Sequence, residues 1–137
     1  MKHELSFDVR PYECDMNNHV NNAIYLNYLE YARMEYLEAI GFDYHEFNKL
    51  GYAFFVAKAE LVYKRPAVMG DRLTITSWPE KTKKASGVFG QIIRQQDGEE
   101  VLEARITWAC VNSEGKPSRM PEGFSLPEKK DEHAENV

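Results

Sequence analysis

Polar and apolar residues alternate from Leu5 to Arg10, with Leu5, Phe7 and Val9 set against Ser6, Asp8 and Arg10. That two-residue period predicts a strand over residues 4–12. It breaks down at residues 13–21, where Asp and Asn side chains bond their own backbone and favour turns, so a loop is expected there. From about Asn22 the period lengthens. Leu26, Leu29, Arg33, Leu37 and Ile40 fall on one stripe of a helix, and Gly41 supplies its stop. Ile24, Tyr25, Tyr28 and Tyr36 add apolar bulk off that stripe, which predicts burial on more than one side.

A short helical turn is expected over residues 43–50. Beyond Gly51 the pattern is β throughout, in four runs at 53–64, 71–80, 85–96 and 99–112. "RPAVMG", "KTKK" and the Asp97-Gly98 pair separate them, the last a strong hairpin signal. The order is therefore strand, long helix, then four strands expected to run as a meander. This predicts an α+β fold with a largely antiparallel sheet and one helix on its face. A single helix cannot cover five strands, so self-association is expected to hide the remainder. Residues 1–124 are read as one domain, and the polar stretch 125–137 as a flexible C-terminal tail.

A chain of 137 residues with 43% hydrophobic and 12% aromatic content supports one domain with a real core. The net charge of −5 gives no global electrostatic case for nucleic acid. No run approaches the roughly 20 apolar residues that cross a bilayer, and the N-terminus lacks the apolar centre of a signal peptide. Membrane insertion is not expected. The two cysteines, Cys14 and Cys110, have no metal-like spacing and read as free thiols in a reducing, cytoplasmic setting. No second histidine accompanies His19 at zinc spacing, so neither a metal nor a cofactor is expected.

The chemistry concentrates between Asp15 and Asn22, which span an acid, a histidine and four asparagines. A helix start offers backbone N–H groups without intrahelical acceptors and a partial positive charge, where a developing oxyanion is stabilised. The Asn22 N–H is such a donor. Asp15, on a loop able to fold back, is placed to attack a carbonyl or to activate a water. That pair suits a thioester, whose thiolate leaves near neutral pH because thiol pKa values are about 8.5. The plainer reading of the same residues is helix capping by Asn21 or Asn22. It accounts less well for Asp15, Asn17 and His19 together.

"DMNNHVNNAIYLNYLEYAR" resembles the hotdog-fold acyl-CoA thioesterases, the 4-hydroxybenzoyl-CoA thioesterase-like family, whose motif is D-x-x-G-H-V-N-N-x-x-Y before the central helix. Asp15, Asn17, His19, Val20, Asn21 and Asn22 are also similar to the acyl-ACP thioesterases. The resemblance implies an antiparallel sheet wrapped around one long helix, in a homodimer or dimer of dimers with active sites between protomers. It implies hydrolysis of an acyl-CoA, with Asp15 as nucleophile or base, the Asn22 N–H on the carbonyl oxygen, and Asn17 and His19 as orienting groups. Asn18 replaces the usual glycine, and asparagine tolerates the left-handed backbone that such a turn needs. Tyr25 is a candidate for the acyl pocket, Lys64 and Arg65 for the CoA phosphates, and Ser86 for a substrate contact from the partner subunit. An acyl-ACP thioesterase and a non-catalytic acyl-CoA-binding module are the alternatives.

Overall fold

The computed structural model describes residues 2–128 of the chain. β1 (His3–Asp8) leads through a 3-10 turn (Pro11–Glu13) to the long helix α1 (Asn22–Ala39) and the short helix α2 (Tyr44–Lys49). Strands β2 (Ala53–Tyr63), β3 (Arg72–Thr82), β4 (Ser86–Arg94) and β5 (Glu100–Val111) follow. β1 ends at Asp8 rather than near residue 12, because Pro11 has a fixed φ and no N–H and opens the 3-10 turn. α1 stops where expected, at Gly41 with φ 76°.

The five strands form one antiparallel sheet in the order β1-β3-β4-β5-β2. A single cross-strand row, Leu5–Ile75–Ile93–Leu102–Tyr63, runs its full width, and its three central members are completely buried. The four later strands do not run as the expected meander. β3, β4 and β5 are joined as successive hairpins, but β2 lies at the far edge beside β5, and β1 closes the other edge beside β3. The cause is the segment between β2 and β3, which crosses the end of the sheet instead of turning back. Its Ala67 is fully buried, donates its N–H to the Tyr25 hydroxyl at 3.1 Å and accepts the Val20 N–H at 2.9 Å.

α1 packs on β1 and β3, so the sheet carries one long helix as in the hotdog fold. The buried line of the helix is Tyr25, Tyr28, Leu29, Ala32 and Tyr36, about one position away from the stripe read in the sequence. Leu26 is 46% exposed, and Tyr31 and Met34 also face outward, so α1 is buried along one side only. Tyr25 and Tyr28 take inner positions because a ring contributes large apolar area while its hydroxyl reaches a polar partner at the edge of the core; the Tyr36 hydroxyl is buried without a partner among the described residues.

Two polar side chains, Ser77 and Gln91, are completely buried under the helix. At the C-terminal end Leu126 is buried and the Thr82 hydroxyl donates to the Pro127 carbonyl at 2.7 Å. The packed chain therefore continues past residue 124. Residues 129–137 of the expected tail lie outside the described residues.

Candidate active site

The loop ahead of α1 is closed on itself by its own backbone. Asp15 N–H donates to the His19 carbonyl at 2.8 Å, Asn18 N–H to the Asp15 carbonyl at 3.0 Å, and Asn21 N–H to the Glu13 carbonyl at 3.0 Å. Cys14 and Val20 face each other across an isolated antiparallel bridge. These ties fold the loop into a narrow hairpin that pairs Glu13 with Asn21 at the helix start and Asp15 with His19 nearer the tip. Asn18 sits at φ 63°, the left-handed turn position that asparagine accepts.

The Asp15 side chain is held at one oxygen. Oδ1 accepts the Asn17 N–H at 2.9 Å and the His19 N–H at 3.2 Å, and the residue is exposed. Asn17 and His19 thus act on the carboxylate through their backbone amides. At the helix start Asn21 is the cap, and its side chain accepts the Ala23 N–H at 3.0 Å. The Ile24 N–H returns to the Asn21 carbonyl at 2.9 Å. Among the described residues the Asn22 N–H has no acceptor, and it lies in the first turn, where the helix dipole is positive. An exposed carboxylate and a vacant, dipole-backed N–H therefore stand on one short loop, seven residues apart in sequence.

Glu13, buried beneath this loop, was not singled out by the sequence pattern. Its carboxylate accepts the Arg10 backbone N–H at 2.8 Å, the Arg10 guanidinium at 2.9 Å and the Tyr28 hydroxyl at 2.9 Å. Burial by itself raises the Glu13 pKa, but the Arg10 and Tyr28 donors outweigh it and hold the group below the usual glutamate range. The Tyr28 hydroxyl is pushed up, first by burial and then by its bond to Glu13. One side chain thus ties the loop to the helix, while its carbonyl holds Asn21.

Glu13→Ala leaves the buried Tyr28 hydroxyl and the part-buried Arg10 N–H unmatched and should cost about 1–3 kcal/mol. A lowered carboxyl pKa contributes stability that is present above the unfolded value and lost as pH falls through the folded one. Wild-type melting temperature should therefore fall on acidification below the glutamate range, and Glu13→Gln should flatten that dependence. Thermal melts across acid pH check both.

The remaining candidates are Tyr25 in the first turn of α1, Lys64 and Arg65 just beyond β2, and Ser86 at the start of β4. Tyr25 is buried, with its hydroxyl taken by Ala67, and its ring meets Tyr63 at 5.6 Å. The C-terminal end of β2 therefore stands beside the start of α1. Lys64, just beyond it, pairs with Glu100 at 2.7 Å and Glu103 at 3.1 Å, and Arg65 lies 3.5 Å from Asp97. Ser86 is registered opposite Ala109, which is itself opposite Phe55. It therefore belongs to the other end of the sheet, away from the Asp15 loop of its own chain.

At that other end a cavity of about 1040 Å³ opens between the C-terminal half of α1 and the start of β2. Met34, Leu37, Phe54, Phe55, Phe89 and Trp108 give it apolar walls, and Arg33 reaches into it. The Arg33 guanidinium donates to Gln91 Oε1 at 3.0 Å. Gln91 spends its own amide on the Leu29 carbonyl and the Ser77 hydroxyl. Burial pushes the Arg33 pKa down to about 10, against the opposing field of Glu30. The sequence did carry a signal for this group, a lone cation on the apolar stripe of α1.

Among the described residues no cluster of three or more His, Cys, Asp or Glu side chains is arranged to hold a metal ion. None of their helices is long and apolar enough to cross a membrane. Both cysteines are free thiols.

A family model, the thioesterase-like superfamily, matches residues 9–126. The chain is 37% identical over 122 residues to the long-chain acyl-CoA thioesterase FadM of Escherichia coli, covering 88% of this chain and 91% of that protein. It is 31% identical to the chloroplastic acyl-acyl carrier protein thioesterase ATL3 of Arabidopsis thaliana, over 87% of this chain and 63% of that one. Among solved structures it resembles YbaW, a probable thioesterase from Escherichia coli. The TM-score is 0.74 at 35% identity, over 88% of this chain and 90% of that chain.

Proposed function

This chain belongs to the thioesterase-like superfamily, and from that membership we propose that it is an acyl-CoA thioesterase, converting an acyl-CoA and water to a free carboxylic acid and CoA. The observation that carries the reading is the loop geometry, an exposed Asp15 carboxylate pinned by two amides on the same short loop that leads into the Asn22 N–H with no acceptor. In this mechanism the thioester oxygen rests on the Asn22 N–H, which stabilises the charge that grows there as the carbonyl carbon becomes tetrahedral. Asp15 either attacks that carbon, giving an anhydride that water then opens, or removes a proton from the attacking water. In both routes the C–S bond breaks and the thiolate leaves to take up a proton as CoA.

The reading includes a homodimer. β2 has eleven residues bonded on one side only, to β5, and its Phe55, Val56, Val62 and Tyr63 are each more than half exposed. A long apolar edge of this kind is a template for pairing with another strand. Because β2 starts beside the cavity and ends beside the α1 start, antiparallel pairing of two β2 edges sets the Asp15 loop of each protomer against the cavity mouth of its partner. The partner's Ser86 then comes to this chain's loop. Lys64 and Arg65 stand at the loop end of β2, where exposed ion pairs are weak enough to yield to CoA phosphates. Free Cys14 and Cys110 go with a cytoplasmic placement.

The likeness to an acyl-ACP thioesterase supports the second reading, hydrolysis of an acyl carrier protein ester. The net charge of −5 disfavours docking of an acidic carrier. Thiol release measured over CoA and carrier-protein esters of the same acyl chains tests both. Turnover of the CoA esters is expected to be the faster, and absence of thiol release from every ester would end the enzymatic reading.

A further inference from the structure

Arg33 is the feature that a plain hydrocarbon pocket does not need. Among the described residues no carboxylate lies within salt-bridge distance of it, and its one acceptor is the neutral Gln91 amide. Gln91 cannot swing away, because both of its amide donors are committed and the side chain is completely buried. The guanidinium is therefore fixed in place with one of its five donors used, facing a cavity walled by Phe54, Phe89 and Trp108. Arg33 is half-buried, and the donors that Gln91 leaves uncommitted are offered to an oxygen that enters the cavity, where a charge-assisted hydrogen bond is among the stronger kinds.

The charge of the surroundings selects the kind of oxygen. Glu30, Glu38 and Asp43 also line the cavity, so a second carboxylate on the ligand meets three acids and one cation. A neutral acceptor gains the Arg33 bond without that repulsion. We propose that the preferred acyl group carries a hydroxyl or keto oxygen on its chain, and that Arg33, positioned by Gln91, is the residue that recognises it. This rests on the thioesterase reading and names its substrate class.

Non-hydrolysable thioether analogues of acyl-CoA, matched in length and bearing no oxygen, a β-hydroxyl, a β-keto or an ω-hydroxyl group, test it by equilibrium titration of tryptophan fluorescence in a Trp78→Phe background, which leaves Trp108 as the one emitter. A charged donor to a neutral oxygen should favour at least one oxygenated analogue over the plain one by roughly 10- to 100-fold. Arg33→Met should bring that ratio to within about twofold, and Arg33→Lys, which keeps charge but loses the planar fork, should retain part of it. Melting curves of both variants confirm folding, and the ratio with Arg33 intact needs no cavity variant at all. Equal binding of all analogues with Arg33 intact, or a ratio that survives Arg33→Met, overturns the proposal. Because binding is read without turnover, a chain that selects the oxygenated analogues but hydrolyses nothing loses only the thioesterase reading. A chain that hydrolyses acyl-CoAs without selecting them loses only this one.

Discussion

Asp15→Asn should lower kcat for acyl-CoA hydrolysis by about a thousandfold or more while leaving the fold and KM nearly unchanged. The substitution is informative because the loop asks only for an acceptor at Oδ1. An asparagine Oδ1 still receives the Asn17 and His19 N–H groups that Asp15 receives at 2.9 and 3.2 Å. The turn at Asn18 and the vacant Asn22 N–H should therefore survive. What disappears is the negative charge and the basic, nucleophilic oxygen, and an amide replaces neither function. Melting temperature within a degree or two of wild type, together with collapsed turnover, is the expected pair of results. Undiminished turnover would remove Asp15 from the chemistry and leave the loop as a well-capped helix start.

The elements of the fold were legible because their signals are local. The period change near Asn22, the stop at Gly41 and the Asp97-Gly98 turn each act within a few residues, and α1, α2 and the five strands stand within a few residues of where these place them. What the pattern missed depends on contacts across the chain. Nothing within residues 64–71 distinguishes a hairpin from a crossover; that is decided by Ala67 finding Tyr25 and Val20, which lie more than forty residues away in sequence. Leu26 looked more buried than Tyr25 because a hydropathy reading ranks leucine first, whereas the loop above the helix offers hydroxyl partners that make tyrosine the better inner residue.

The site divides in the same way. Asp15 and Asn22 were visible as residue types ahead of a helix. Their tethering through Glu13 was not, because a lone glutamate in a polar run carries no mark of burial until Arg10 and Tyr28 are seen to converge on it. Arg33 stood out as a cation on the apolar stripe, and only Gln91 on β4 shows what holds it half-buried there.

Two inactive variants should regain activity when forced into one dimer. The Asp15→Asn chain keeps its cavity and loses its acid, while a chain with Met34→Trp and Leu37→Trp keeps its acid and fills its cavity, which both residues line. Each homodimer combines defective parts at both of its sites and should be close to dead. If each site joins the loop of one protomer to the cavity of the other, the mixed dimer contains one fully defective site and one fully intact site. Co-expression with two different affinity tags and sequential purification isolates that species, which should turn over acyl-CoA at about half the wild-type rate per dimer. If instead loop and cavity of the same chain served one site, every site in the mixed dimer would carry one defect, and its rate would match the parents. The difference between half of full activity and almost none makes this the sharpest test of the β2 edge. That edge carries four large apolar side chains into solvent in the single chain, and in the proposed homodimer its pairing across a two-fold axis would bring the aromatic cavity of one protomer to the acid of the other.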